Sequence, residues 1–123
     1  MKASEDHVAI LDPLIEDLDR MGVDIDRSVV RRAFDMAREA HRLQRRRSGE
    51  PYVTHPVAVA RILVELLEKR VDSVILAAAL LHDVVEDTQS RIDDLNRDFG
   101  EEVATLVDGV TKIEGLQFSS TEA

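Results

Sequence analysis

Cysteine is absent from all 123 residues of the chain. No disulfide can brace the fold and no thiolate can hold a structural zinc finger, so stability must come from packing. Long apolar runs are missing as well, and none approaches the roughly 20 residues that cross a bilayer. The start of the chain lacks a basic stretch followed by an apolar one, which removes the pattern of a secretory leader. A soluble, cytoplasmic protein is expected. An excess of basic residues is also missing: the formal net charge is -9, which weighs against a general DNA or RNA binder. No alternating strand pattern, internal repeat or low-complexity tract occurs.

What is present is enough chain for one domain with a modest core, at 44% hydrophobic residues. Apolar residues recur at helical spacing. Val8, Leu11, Leu14, Ile15 and Leu18 mark a first helix, interrupted early by Pro13 and ended by Gly22. Asp26 or Ser28 caps a second helix, whose buried stripe is Val30, Ala33, Phe34, Ala37 and Ala40. Ser48-Gly49-Glu50-Pro51 breaks it. Tyr52 to Pro56 reads as an extended connector, because His55 precedes a proline. A third helix then begins at Pro56 and carries Val59, Ile62, Leu63, Leu66 and Leu67. Asp72 or Ser73 caps a fourth that is apolar on nearly every side and is therefore central. Thr88–Ser90 is a turn, Arg91–Phe99 a short helix stopped by Gly100, and Val103, Leu106, Val107 and Val110 mark a sixth helix.

The central helix ends in chemistry. Val74–Leu81 is apolar without a break, and His82-Asp83 followed by Glu86-Asp87 closes it. Burying such groups without partners costs several kcal/mol each, so a shared cavity holding a cation or polar ligand is the economical reading. On a continuous helix the four positions span an arc of about 140°. Imidazole with carboxylate is a borderline-hard donor set that suits manganese, iron, zinc or magnesium. His55 offers a third donor from another element. Glu86 and Asp87 are placed to orient or deprotonate the water that such a cation activates, or to protonate a leaving group.

The positive charge is concentrated. Eight of the sixteen basic residues lie between Arg27 and Arg47, and Arg42, Arg45, Arg46 and Arg47 fall within six positions. The cluster suits a small polyanion, or it is a solvated helix end that complements the helix dipole. His41 faces the helix stripe and reads as a core or interface histidine. Tyr52, next to the basic turn, reads either as a packing residue or as one that stacks on or donates to a nucleotide.

Three segments together resemble one family. Arg46-Arg-Ser-Gly-Glu-Pro-Tyr-Val-Thr-His-Pro56, Leu81-His-Asp-Val-Val-Glu-Asp-Thr88 and Phe99-Gly-Glu-Glu-Val-Ala-Thr-Leu-Val-Asp-Gly-Val-Thr-Lys112 are similar, in order, to the hydrolase domain of the RelA/SpoT alarmone enzymes. The resemblance implies an all-α fold of about six helices of the HD superfamily, truncated on its C-terminal side. Together with the loss of helical periodicity from Gly115 onward, it divides the chain into an N-terminal helix and leader over 1–25, a partial HD hydrolase domain over 26–115 and a disordered tail over 116–123. The implied activity is manganese-dependent removal of the 3′-pyrophosphate from ppGpp or pppGpp, another divalent cation being the alternative cofactor. His55, His82 and Asp83 would be metal ligands, with a fourth expected beyond the chain end. Glu86 and Asp87 would be catalytic, and Arg46, Arg47 and Ser48 would contact guanine. Truncation would leave apolar surface for self-association. The competing functions are hydrolysis of another nucleotide and a non-catalytic helical interaction module.

Overall fold

A computed structural model of the chain describes residues 2–45, 47–87 and 92–110, with side chains described within 10–45, 47–85 and 92–110. The elements are α1 (Lys2–Arg20), α2 (Arg27–Ala40), α3 (Thr54–Leu67), a single 3₁₀ turn at Glu68–Arg70, α4 (Ser73–Leu81), α5 (Val84–Asp87) and α6 (Ile92–Phe99). A further helix, α7, covers 101–110. Among the described residues there is no β-strand, only an isolated antiparallel bridge between Arg45 and Pro51. The all-helical expectation holds.

α4 is the axis of the domain, packed against α2 and α3, while α1 packs on α3. Every residue from Leu76 to Leu81 is buried. Burial of each leucine contributes roughly 2 kcal/mol, so an element with no polar face is stable only at the centre. α2 presents Val30, Ala33, Phe34 and Ala37 to it. Leu11, Leu14 and Leu18 of α1 and Val57, Ala60 and Val64 of α3 join the same core.

The caps follow sequence chemistry. Asp26 accepts hydrogen bonds from the Ser28 and Val29 amides to start α2, and Asp72 accepts one from the Ile75 amide to start α4. The Ser73 hydroxyl accepts from the Asp26 amide at 2.9 Å and so ties the two starts together. Gly22, at φ 67°, lets the chain leave α1 while the Val23 amide reaches back to the Leu18 carbonyl at 3.0 Å. α1 and α3 are clamped by charge: Arg61 Nε donates to buried Asp17 at 2.7 Å and Arg20 donates to its other oxygen at 2.9 Å.

Three local expectations are corrected. α1 runs through Pro13 without a break; proline removes one hydrogen bond, but Leu11, Leu14 and Leu18 bury the same face on both sides and hold the helix together. α3 begins at Thr54, so His55 sits in its first turn and not in an extended connector. The Pro56 nitrogen falls among the first-turn positions that need no intrahelical donor, and the His55 amide bonds the Tyr52 carbonyl at 2.9 Å, which outweighs the bias of a pre-proline residue. Finally, α4 stops at Leu81, and His82-Asp83 forms a turn before α5. Positions 82, 83, 86 and 87 therefore do not share one continuous helix. Arg46, the Thr88–Ser90 turn and the 116–123 tail lie outside the described residues.

Candidate metal centre

His82 is brought to the site by the end of α4 and held by that helix's own backbone. Its Nδ1 lies 2.6 Å from the Ala79 carbonyl oxygen. A carbonyl only accepts, so Nδ1 carries the proton and supplies a donor to one of the carbonyls left over at a helix end. In the neutral ring this leaves the lone pair on Nε2. That atom faces Asp83 Oδ1 at 3.1 Å. Both residues are buried, with 8% and 7% of their surfaces exposed.

His55 enters from the first turn of α3, its Nε2 3.6 Å from Asp83 Oδ2. One donor atom each from His55, His82 and Asp83 lies within 4.8 Å of the others. A lone pair on His82 Nε2 beside a carboxylate oxygen is repulsive, and a cation between them turns the repulsion into coordination. The backbone bond that orients His82 is the outer support usual for a metal-ligating imidazole. The donor set fits a divalent cation with open positions for water or substrate.

The two ligand-bearing elements are joined by a residue that the motif alone does not mark. The Tyr52 hydroxyl donates to Asp83 Oδ2 at 2.8 Å. Its ring lies between the rings of His41, centroids 4.6 Å apart, and His55, at 5.8 Å. His82 extends the row at 5.7 Å from His55. Sequence reading allowed Tyr52 packing or contact with a nucleotide; its bond to Asp83, 31 positions away, had no local signal. His41 is buried as expected, and its Nδ1 meets Gln44 Oε1 at 2.5 Å.

The basic turn begins beside this row. The Tyr52 amide bonds the Gln44 carbonyl at 3.1 Å and the Arg45–Pro51 bridge closes the loop. Gly49 takes φ 90° within it, a value that any side chain would strain. Arg47 and Ser48 are exposed, and the Ser48 hydroxyl accepts from the Glu50 amide. The side chains of Glu86 and Asp87 are not among those described; their backbone forms the end of α5, directly after Asp83. An open groove of about 510 Å³ leads away from His55 and His82 between Val59 and Leu63 of α3, Ile75 and Ala78 of α4, and Leu106 of α7.

A helical domain with paired histidine and aspartate at the end of its central helix is the design of one broad class, and the chain belongs to it: the HD-domain family profile matches residues 33–123. Within that class the similarity is to RelA/SpoT proteins. The chain is 47% identical over 111 residues to a probable GTP pyrophosphokinase of Mycobacterium leprae, covering 90% of this chain and 14% of that protein. It is 54% identical over 89 residues to a guanosine-3′,5′-bis(diphosphate) 3′-pyrophosphohydrolase of Vibrio cholerae, covering 72% and 12%. Against the bifunctional (p)ppGpp synthase/hydrolase SpoT of Escherichia coli K12 the identity is 53% over 89 residues, with the same coverage. The chain thus spans only 12–14% of the length of these relatives.

Proposed function

We propose that this chain contributes the metal centre of an alarmone hydrolase, removing the 3′-pyrophosphate of ppGpp or pppGpp with water to give GDP or GTP and pyrophosphate. The observation that carries the reading is the convergence of His55, His82 and Asp83, with His82 Nε2 aimed at Asp83 Oδ1 at 3.1 Å. Identity of about half to proteins named for this hydrolysis supplies the substrate class.

In this reading His55, His82 and Asp83 hold a divalent cation, Mn2+ in the first instance. When bound, the cation lowers the pKa of water and offsets charge on the phosphate oxygens. Glu86 and Asp87 move the protons: one takes a proton from the attacking water while the other returns one to the departing ribose oxygen. Arg46, Arg47 and Ser48, on the basic turn, hold the guanine end, so that the 3′-diphosphate reaches toward the buried ligands. The N-terminal segment over 1–25, through its helix α1, braces the partial HD domain over 26–115 by the Asp17–Arg61 bond.

The same proposal places the protein in the cytoplasm. Among the described residues no helix is long and apolar enough to cross a membrane. Copies associate through exposed apolar surface that includes Ile62, Leu66 and Leu106, which light scattering of the purified chain tests.

The test is pyrophosphate release from ppGpp with and without Mn2+, beside GTP and ATP as competing substrates. Manganese-dependent release from ppGpp, with little from the others, supports the reading. Turnover of another nucleotide in preference overturns the substrate, and metal binding without any turnover favours a non-catalytic module.

A further inference from the structure

We propose that Tyr52 is a positioning residue for the metal centre: its hydroxyl sets the Asp83 carboxylate for cation binding, and its backbone makes that setting part of the basic turn. The inference rests on the metal-centre reading above and goes beyond it by assigning a role outside the ligand set.

Asp83 sits in a turn and not within a helix, so its carboxylate is not oriented by an element of its own. It needs an external hold. Oδ1 faces His82 Nε2 at 3.1 Å and Oδ2 faces His55 Nε2 at 3.6 Å, an arrangement that lets both oxygens look toward one cation. The Tyr52 hydroxyl, 2.8 Å from Oδ2, is the donor that holds it there. A hydrogen bond to a charged carboxylate is short and directional, and it fixes rotation about the bond that carries the carboxylate.

Tyr52 is itself held from behind. The buried His41 ring lies against it at 4.6 Å, and His41 is fixed by Gln44 Oε1 at 2.5 Å. Gln44 also accepts the Tyr52 amide through its carbonyl at 3.1 Å. One residue thus anchors both the ring and the backbone of Tyr52, and Gln44 opens the turn that carries Arg45, Arg47 and Ser48. Movement of that turn reaches the Asp83 carboxylate through one rigid aromatic side chain.

Tyr52→Phe removes the hydroxyl and keeps the ring row. Outer-layer support of this kind changes metal affinity about 10- to 100-fold when lost. Calorimetric titration of Mn2+ into the wild-type chain and Tyr52→Phe is expected to give a dissociation constant at least about tenfold weaker in the variant, with matching circular dichroism. A second measurement needs no variant. Tyr52 is the only tyrosine and there is no tryptophan, so the near-ultraviolet absorbance of tyrosine reports on this hydroxyl alone; Mn2+ is expected to shift it with the same saturation point as the heat signal. Equal affinity in a folded Tyr52→Phe, or a tyrosine spectrum unmoved by saturating Mn2+, overturns the inference and leaves the metal centre standing. Absence of any Mn2+ binding to the wild-type chain overturns both.

Discussion

His82 donates its Nδ1 proton to the Ala79 carbonyl at 2.6 Å, so the residue that ends the central helix also presents Nε2 to Asp83. Structural and chemical roles meet on one ring. His82→Phe keeps the bulk and removes both nitrogens. The metal-free fold is expected to lose about 1 kcal/mol with the hydrogen bond. Wild-type protein should gain about 2.7 kcal/mol of stability at Mn2+ a hundredfold above its dissociation constant, and the variant none. Thermal unfolding with and without Mn2+ measures both effects.

The clamp between α1 and α3 predicts a pH dependence unrelated to the site. Hydrogen bonding from Arg61, supported by Arg20, holds the Asp17 carboxyl below the usual carboxylate range against the opposing effect of burial. A carboxyl depressed in the folded state stabilises the fold above its unfolded value, and that contribution is lost as pH falls through the folded value. Asp17→Asn should cost about 1–2 kcal/mol near pH 7, a modest figure because Arg61 is half exposed. The difference from wild type should shrink from about pH 4 downward. Urea unfolding across that range checks it, and a constant difference would exclude the clamp as its source.

Glu68 ends α3 at φ 53° and ψ -125°, the only positive φ outside glycine among the described residues. A side chain there costs on the order of 1 kcal/mol or more. Glu68→Gly is expected to raise the unfolding midpoint by roughly 1–2 °C, because glycine's greater freedom when unfolded offsets part of the relieved strain. Calorimetric scanning decides it.

Arg47 separates substrate holding from metal holding. It is exposed on the basic turn. Arg47→Ala should raise KM for ppGpp about tenfold, as expected for loss of uniform binding, while kcat changes little. Mn2+ affinity should stay within about twofold of wild type, since no charge-assisted bond to a ligand is lost. A variant that loses metal affinity and KM together would place Arg47 in the metal support.

Much of this was legible in the sequence because the responsible forces are local. The stripe of α2 is a period-3.6 pattern and α4 is an unbroken apolar run, and Asp26 and Asp72 cap because a short acidic side chain before an apolar run meets free amides. His82, Asp83, Glu86 and Asp87 stand out in the sequence as a chemically costly set with His55 as a further donor, and the fold brings His55, His82 and Asp83 together. What was not legible depended on tertiary context. Packing on both sides carries α1 through Pro13, and the Tyr52–His55 backbone bond starts α3 two residues before Pro56. The break at His82-Asp83 separates Glu86 and Asp87 from the helix that was expected to align them. Tyr52 reaches Asp83 across 31 positions, a pairing that no single-sequence spacing announces.

His55, His82 and Asp83 are proposed to form one cation site. Calorimetric titration of Mn2+ into the purified chain, alongside Asp83→Asn, tests it most directly. Saturable binding of one Mn2+ per chain is expected at submillimolar concentration, and its loss in the variant, where a neutral amide replaces the carboxylate between the two imidazoles. No heat of binding at millimolar Mn2+, or equal binding to Asp83→Asn, would contradict it.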